Sequence, residues 1–396
     1  MSAGILPDQN DTIELQQQVA RLQALLEASR QVHATIREEE VLESVLRIAV
    51  RELEMAGAAF PDAGLTYGAG LDAALASHSA EAGGTGSAST LPSFPLKDRA
   101  GRSMAELVVA PPEGRELTLY ESDFLEGLAL QAAVALENAR NHKRNVEFAR
   151  LQQDLDAARL IQRSLLPQRL PEIPGYSVGF KSATCYEVGG DYLDIVEQPD
   201  GSVLMAVADV AGKGLASAIM SSSFRSAFRA MALSGMPLDQ LAERMNQQQW
   251  EEGEEARRRY VTAIFLRLYP QTGDLEVVNA GHNPGFGVRP DGSTCLFESS
   301  GPPLGLLPRM TYATERCTFP EGSRLLFYTD GLTEAFHGDE EFGSERLMEQ
   351  FSECSLRKAD GILDALWTAI EDFCEGGPQG DDMTALVLCR GMETAA

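Results

Sequence analysis

Residues Val203–Met220 read VLMAVADVAGKGLASAIM: an apolar run, an aspartate, a lysine between two glycines, then small residues opening a helix. The run Val203–Ala208 is short, β-branched at two positions and preceded by Asp200-Gly201, which marks a buried strand. Asp209 therefore falls where a core strand ends. Gly212 and Gly214 leave the backbone free to approach a hard cation or a phosphate closely. Taken alone, Asp209 reads equally well as a helix cap. Its company decides the matter. Val188-Gly-Gly-Asp191, Tyr328-Thr-Asp330-Gly331 and Gly380-Asp381-Asp382 repeat the pairing of carboxylate with glycine, and the last two adjoin the apolar runs Leu325–Tyr328 and Met383–Leu388.

Working outward, Tyr176–Ala183, Asp191–Val196, Val261–Leu268, Leu275–Asn279, Gly285–Val288, Arg324–Tyr328 and Met383–Leu388 read as strands. Leu215–Leu233, Leu238–Trp250 and Ile362–Phe373 read as helices. Strands, then helices, then strands predict an α+β layered sandwich over residues 168–396.

Two carboxylates about 4 Å apart repel by about 1 kcal/mol in water and about 4 kcal/mol at an effective dielectric of 20. Four converging carboxylates therefore call for cations. The ligand set is all oxygen, with no His or Cys at ligand spacing, so it favours Mg²⁺ or Mn²⁺ over Zn²⁺. A pair of such ions would acidify a water and polarise a phosphoryl group for in-line attack. A seryl nucleophile is not signalled, since GxSxG is absent.

The motifs Glu187-Val-Gly-Gly-Asp191-Tyr-Leu-Asp194, Ala208-Asp209-Val-Ala-Gly-Lys-Gly214, Asn279-Ala-Gly-His282-Asn-Pro284, Gly301-Pro-Pro-Leu-Gly305, Tyr328-Thr-Asp330-Gly-Leu-Thr-Glu334-Ala and Gly380-Asp381-Asp-Met-Thr384 occur in order. With Ile161-Gln162-Arg-Ser-Leu-Leu-Pro167 before them, they resemble the SpoIIE/RsbU-like branch of the PPM (type 2C-like) metal-dependent Ser/Thr protein phosphatases. The resemblance covers about residues 155–392 and implies a PPM-type β-sandwich flanked by helices. It implies that Asp209 bridges two Mn²⁺ or Mg²⁺ ions, with the Val210 carbonyl on one of them. Asp330 and Asp381 would hold the second ion and Asp191 the first. It further implies a phosphorylated protein substrate, of the STAS-type anti-sigma-factor antagonist class in a bacterial partner-switching pathway, and control through the linker helix. Leu193 and Ala211 depart from residues common in the branch, and neither is a ligand. His282 reads as a turn-stabilising residue, Asp382 as a support behind the ligands and Glu187 as an orienter of the loop before Asp191. Lys213 reads either as a phosphate contact or as a solvated loop lysine.

The N-terminal part is organised differently. Ile13–Ile36 carries Leu15, Val19, Leu22 and Leu26 at heptad-like spacing, with Asp11 or Thr12 as its N-cap. Val41–Val50 continues as helix, 78–92 is an Ala/Gly/Ser-rich loop, Ala105–Ala110 is a strand and Thr118–Arg140 is helical. The helix, the segment Pro95–Val109 and the helix ending at Arg140 resemble a GAF sensor domain, read either as ligand-binding or as a dimerisation module. After the polar stretch Asn138–Asn145, the residues Phe148, Leu151, Leu155, Ala158, Gln162 and Leu165 form an a/d seam closed by Pro167, with Gln162 as its register-setting polar member. The expected organisation is an N-terminal heptad helix (1–35), a GAF-like α/β domain (36–140), a coiled-coil linker helix (141–167) and the phosphatase domain (168–396), paired in a homodimer through the linker and the GAF-like domain.

The 396 residues carry a formal charge of −26, which argues against nucleic-acid and anionic-membrane partners. That charge, without a basic track, also disfavours a two-metal phosphodiesterase or nuclease. Six cysteines without a CxxC pair, no apolar leader and no 18-residue apolar window point to a cytoplasmic protein. A catalytically decayed scaffold that binds a phosphorylated partner is the alternative reading.

Overall fold

The structure, a computed structural model, describes residues 9–69, 71 and 91–391. All but the last two residues of the loop expected at 78–92 lie outside them. The chain divides into two compact units, Met1–Leu151 and Gln152–Ala396. Among the described residues no helix is long and apolar enough to cross a membrane.

The first unit contains α1 (Gln9–Val32), α2 (Glu38–Glu52) and the start of α3 (Leu119–Leu165). These accompany an antiparallel sheet of β1 (Gly57–Phe60), β2 (Leu65–Gly68), β3 (Ser93–Lys97) and β4 (Ser103–Ala110) in the order β2-β1-β4-β3. Val45, Leu46 and Ala49 of α2 share a core with Phe124, Leu128 and Leu136 of α3 and with Phe60, Leu96 and Leu107 of the sheet. Asp11 and Thr12, expected as caps, lie inside α1. Thr118 and Glu121 form a capping box ahead of α3. The Glu121 carboxylate accepts from the Thr118 N–H at 2.8 Å, and Thr118 Oγ1 accepts from the Glu121 N–H at 3.3 Å. The polar stretch 138–145 does not interrupt α3, which runs unbroken for 47 residues. Its side chains from 141 to 151 are exposed, so polarity there reflects solvation and not a break.

The second unit is a sandwich of two five-stranded antiparallel sheets. One is ordered β12-β9-β8-β7-β6 and the other β11-β10-β13-β16-β5. Its strands are β5 (Tyr176–Ala183), β6 (Tyr192–Glu197), β7 (Val203–Val210), β8 (Val261–Tyr269), β9 (Asp274–Ala280), β10 (Gly285–Val288), β11 (Thr294–Phe297), β12 (Glu315–Thr318), β13 (Arg324–Tyr328) and β16 (Met383–Arg390), with a small hairpin of β14 (Phe336–His337) and β15 (Glu340–Glu341). Helices α4 (Leu215–Ala232) and α5 (Leu238–Glu251) cover the first sheet, and α7 (Gly343–Glu353) and α8 (Ala359–Cys374) cover the second. A one-turn helix, α6 (Glu254–Arg257), follows α5.

Alternation along β7 shows why both faces are apolar. Leu204, Ala206, Ala208 and Val210 meet the helices, whereas Val203, Met205 and Val207 meet the opposing sheet. The expected α+β layered sandwich is thus a four-layer αββα arrangement. Sequence reading passed over β11, β12 and α7, which are short and include edge strands with little alternation.

Asp194 sits on the helix side of β6, fully buried. It accepts two hydrogen bonds from Arg229 of α4, at 2.6 and 2.8 Å, and one from the Tyr192 hydroxyl at 2.7 Å. This pair clamps α4 to the strand that follows Asp191. Replacing Arg229 by Ala strands a buried carboxylate and should cost about 3 kcal/mol. The check is the denaturant midpoint, with Arg229→Lys recovering part of the loss. An unchanged midpoint would show that the pair does not fix α4.

Candidate active site

The same alternation decides which side chains meet at the end of the sandwich. On β7 the series Val203, Met205, Val207 continues to Asp209. On β6 Leu193 and Ile195 face the opposing sheet, and Asp191 lies two residues before Leu193. Leu325 and Phe327 of β13 lead to Thr329, and Leu388 and Leu386 of β16 lead back to Thr384 and Asp382. Tyr192 opposite Ala208 and Tyr328 opposite Ala385 bring all these ends to one pole. Asp330 opens a short 3-10 turn after β13, and Asp381 stands before β16.

Hydrogen bonds knit the two sheets together there. Thr329 Oγ1 donates to Asp191 Oδ2 at 2.8 Å and accepts from the Thr384 N–H at 2.9 Å. The Asp382 carboxylate accepts from the backbone N–H groups of Cys185, at 2.8 Å, and Gly190, at 2.7 Å, which fixes the loop before Asp191. Gly190 is required by close approach. A Cβ there would lie 2.9 Å from the Val210 carbonyl oxygen and 3.3 Å from Asp209 Oδ1. A Cβ on Gly331 would run into the Asp382 carbonyl.

The electrostatics follow from burial and like charge. Burial, then the charges of Asp209 and Asp382, hold Asp191 well above the usual carboxylate range. Burial, then the charges of Asp330, Asp381 and Asp382, push Asp209 up to about 7. Burial likewise raises Asp330 and Asp382, each of which also feels Asp381. One cation enters the group: Lys213 Nζ lies 2.7 Å from Asp381 Oδ2 and also donates to the Gly380 carbonyl at 2.7 Å.

Asp191, Asp209, Asp330 and Asp381, together with the Val210 carbonyl, are therefore brought to one pole. Among the described residues, however, no three His, Cys, Asp or Glu side chains are gathered tightly enough to enclose a metal ion. Hydrogen bonds already engage Asp191 and Asp382, and Lys213 engages Asp381. The donors nonetheless fit a hard divalent cation. They are all oxygen, and carboxylates that raise one another's proton affinity are stabilised by any cation that binds among them.

His282 is buried, with Nδ1 2.8 Å from Thr262 Oγ1, and desolvation pushes it down to about 4, so its ring is neutral at pH 7. Asn279 accepts from the His282 N–H at 2.8 Å and donates to its carbonyl at 3.1 Å, the bonding of a turn residue.

Two features escaped sequence reading. Thr329 and Thr384 were legible only through the strand alternation that puts them on the carboxylate side. Gln162, read as the register-setting polar member of a coiled-coil seam, bonds the loop before Asp191. Its Nε2 donates to the Gly189 carbonyl at 2.6 Å, and its Oε1 accepts from the Gly189 N–H at 3.0 Å. Arg225 Nε donates to the Leu165 carbonyl at 2.9 Å. Leu155, Ala158, Gln162 and Leu165 are accordingly half-buried, while Phe148 and Leu151 remain exposed. The C-terminal part of the expected seam thus packs in part on its own unit.

Residues 199–391 match the family model described as stage II sporulation protein E (SpoIIE). Over 245 residues the chain is 24% identical to the phosphoserine phosphatase RsbU of Bacillus subtilis, covering 61% of this chain and 71% of that protein. It is 29% identical over 185 residues to the phosphoserine phosphatase RsbP of the same organism (45% of each), and 26% identical over 263 residues to Protein IcfG of Synechocystis (60% and 41%). The chain thus spans less than half the length of RsbP and of IcfG. Among solved structures, the SiaA-PP2C domain of Pseudomonas aeruginosa aligns with a TM-score of 0.55 at 21% identity, covering 61% of this chain and 97% of that one. The PP2C phosphatase domain of SpoIIE from Bacillus subtilis, with a fragment of its regulatory domain, aligns with a TM-score of 0.50 at 18% identity, covering 55% and 63%. The second unit has the PP2C fold. Most of that unit, from residue 199 on, is similar to the SpoIIE family model.

Because Asp209 binds its proton more tightly in the folded than in the unfolded chain, its ionisation opposes folding. The penalty grows as pH rises from about 4 to about 7 and is complete above that. Asp209→Asn should therefore raise the thermal midpoint of metal-free protein at pH 8 by several degrees, with the gain fading as pH falls from 7 toward 4. A lower midpoint at pH 8 would mean that repulsion does not dominate the site.

Proposed function

We propose that the second unit is a Mn²⁺- or Mg²⁺-dependent phosphatase acting on phosphoserine or phosphothreonine in a protein substrate. The observation that carries this reading is the convergence of Asp191, Asp209, Asp330 and Asp381 at one end of a PP2C-type sandwich, with Asp209 raised to about 7 by burial and then by the charges of its neighbours. Asp209 and Asp191, with the Val210 carbonyl, would hold one ion, and Asp209, Asp330 and Asp381 a second. Such ions, when bound, supply Lewis-acid polarisation of the phosphoryl group and acidification of water.

The chain's own residues do the positioning. Thr329 fixes the rotamer of Asp191, and Asp382 fixes the Cys185–Gly190 loop through two backbone N–H groups. The Lys213 ammonium, beside Asp381, draws a phosphate dianion into an otherwise anionic pole. His282, neutral and hydrogen-bonded to Thr262, holds the strand opposite Asp209 in place and moves no proton. The alternative, a scaffold that binds a phosphorylated partner without cleaving it, would need none of these carboxylates.

The similarity to the phosphoserine phosphatases RsbU and RsbP supports a phosphoserine-bearing substrate, and the motif resemblance extends this to a STAS-type anti-sigma-factor antagonist in a partner-switching pathway. Control would pass through α3, because Gln162 is bonded to both polar groups of Gly189, two residues from Asp191. A homodimer through the first unit is supported by Leu22 and Leu26 of α1 and Leu130 and Val134 of α3, which remain exposed although Ser29 of α1 hydrogen-bonds Gln131 of α3. In this reading the first unit is a GAF-like sensor.

The test is hydrolysis of p-nitrophenyl phosphate by full-length protein against Mn²⁺ concentration. Wild type should saturate with Mn²⁺, and Asp209→Asn should lose at least 100-fold in kcat/KM. Gln162→Ala should change turnover several-fold without altering metal preference. Metal-independent hydrolysis, or equal rates for wild type and Asp209→Asn, would overturn the assignment. Equal rates for Gln162→Ala would remove control through α3.

A further inference from the structure

The far pole of the same sandwich carries a second polar feature. A cleft of about 600 Å³ lies where β13 begins and β16 ends, under the turn between β10 and β11 and the loop between α7 and α8. Arg324 pairs with Cys389 at this end, whereas Tyr328 pairs with Ala385 at the carboxylate end, so roughly 13 Å of strand separates the two. The volume is that of a small-molecule site.

Its lining is basic in a chain of net charge −26. Arg289, Arg324, Arg357 and Arg390 all contribute, against the single carboxylate Glu353. None of the four arginines forms an ion pair among the described residues. Asp291, two residues from Arg289, is spent on Ser293, accepting from its N–H at 2.9 Å and its hydroxyl at 2.6 Å, and does not line the cleft.

Arg324 is held by neutral groups, donating to the Ser352 carbonyl at 2.6 Å and to the Cys354 carbonyl. Arg390 borders the cleft at the strand end, but its guanidinium turns to the Phe319 carbonyl, at 2.6 Å, and over the Tyr176 ring, outside the lining. Carbonyls orient the Arg324 guanidinium but leave its charge uncancelled. Arg289 and Arg357 stand exposed at the rim. Ser323, which also lines the cleft, is 2% exposed, and its hydroxyl has no hydrogen-bond partner. A buried hydroxyl without a partner costs about 1–3 kcal/mol, a cost that a bound acceptor removes.

We propose that this cleft is a second binding site, specific for a small molecule bearing two or more phosphoryl groups. Planar guanidinium forks match phosphoryl oxygens two at a time, and the volume exceeds what one phosphate fills. The site is independent of the phosphatase reading, since no residue of the carboxylate pole lines it.

The test is calorimetric titration of full-length protein, stripped of divalent ions, with inorganic pyrophosphate at low and at moderate salt. Wild type should bind saturably and more weakly as salt rises. The double variant Arg289→Ala/Arg357→Ala should bind at least 10-fold more weakly. It removes no hydrogen bond made by either side chain among the described residues, and an unchanged thermal midpoint would confirm its fold. Ser323→Ala should weaken binding several-fold, and Asp209→Asn should leave it unchanged. Absence of saturable binding, equal binding by the double variant, or loss of binding in Asp209→Asn would each overturn the proposal.

Discussion

Mutual repulsion among carboxylates is the constraint to which the rest of the second unit answers. Asp191, Asp209, Asp330, Asp381 and Asp382 are drawn to one end of the sandwich by strands whose other residues gain from burial. The alternation that sends Val203, Met205 and Val207 into the core sends Asp209 to its edge. The fold thus spends apolar burial on holding like charges together, and the residues around them are arranged to bear the strain. Thr329 and the backbone of Gly190 satisfy oxygens, Lys213 offsets one charge, and glycines at 190 and 331 permit approaches that no other residue allows. Supports further out, such as the Arg229–Asp194 clamp, keep α4 and β6 from relaxing apart.

Much of this was legible in the sequence because the pattern is short-range. An apolar run, an aspartate and a glycine within ten residues report a strand end wherever they occur, and the strands and helices that bury most area were found within a few residues of their ends. β7 extends two residues further than its apolar run, because Asp209 still pairs across the ladder with Thr262. What escaped was non-local or weakly patterned. The strands at Gly57–Phe60 and Ser93–Lys97 are short, and one is built largely from alanine. Thr329 and Thr384 became visible as partners only once two sheets were packed face to face.

Gln162 shows most clearly where sequence periodicity stops informing. A 3-4 spacing of apolar residues states that a helix has a buried face, but not what covers it. On α3 the same spacing belongs first to an exposed stretch around Phe148 and Leu151 and then to a face half-buried on its own unit. The polar residue within that second face is bonded to both polar groups of Gly189, and Gly190 in turn packs against Asp209. A rotation or shift of the helix end therefore has a direct mechanical route to the loop that carries Asp191. The carboxylate pole and the bonds of Gln162 meet in one loop.

The central claim is that the carboxylate pole exists to hold divalent cations, and direct calorimetric titration of the full-length protein with Mn²⁺ addresses it without reference to any substrate. The account predicts saturable binding approaching two ions per chain, abolished in Asp209→Asn and retained in Arg229→Lys. No binding by wild-type protein, or equal binding by Asp209→Asn, would contradict it.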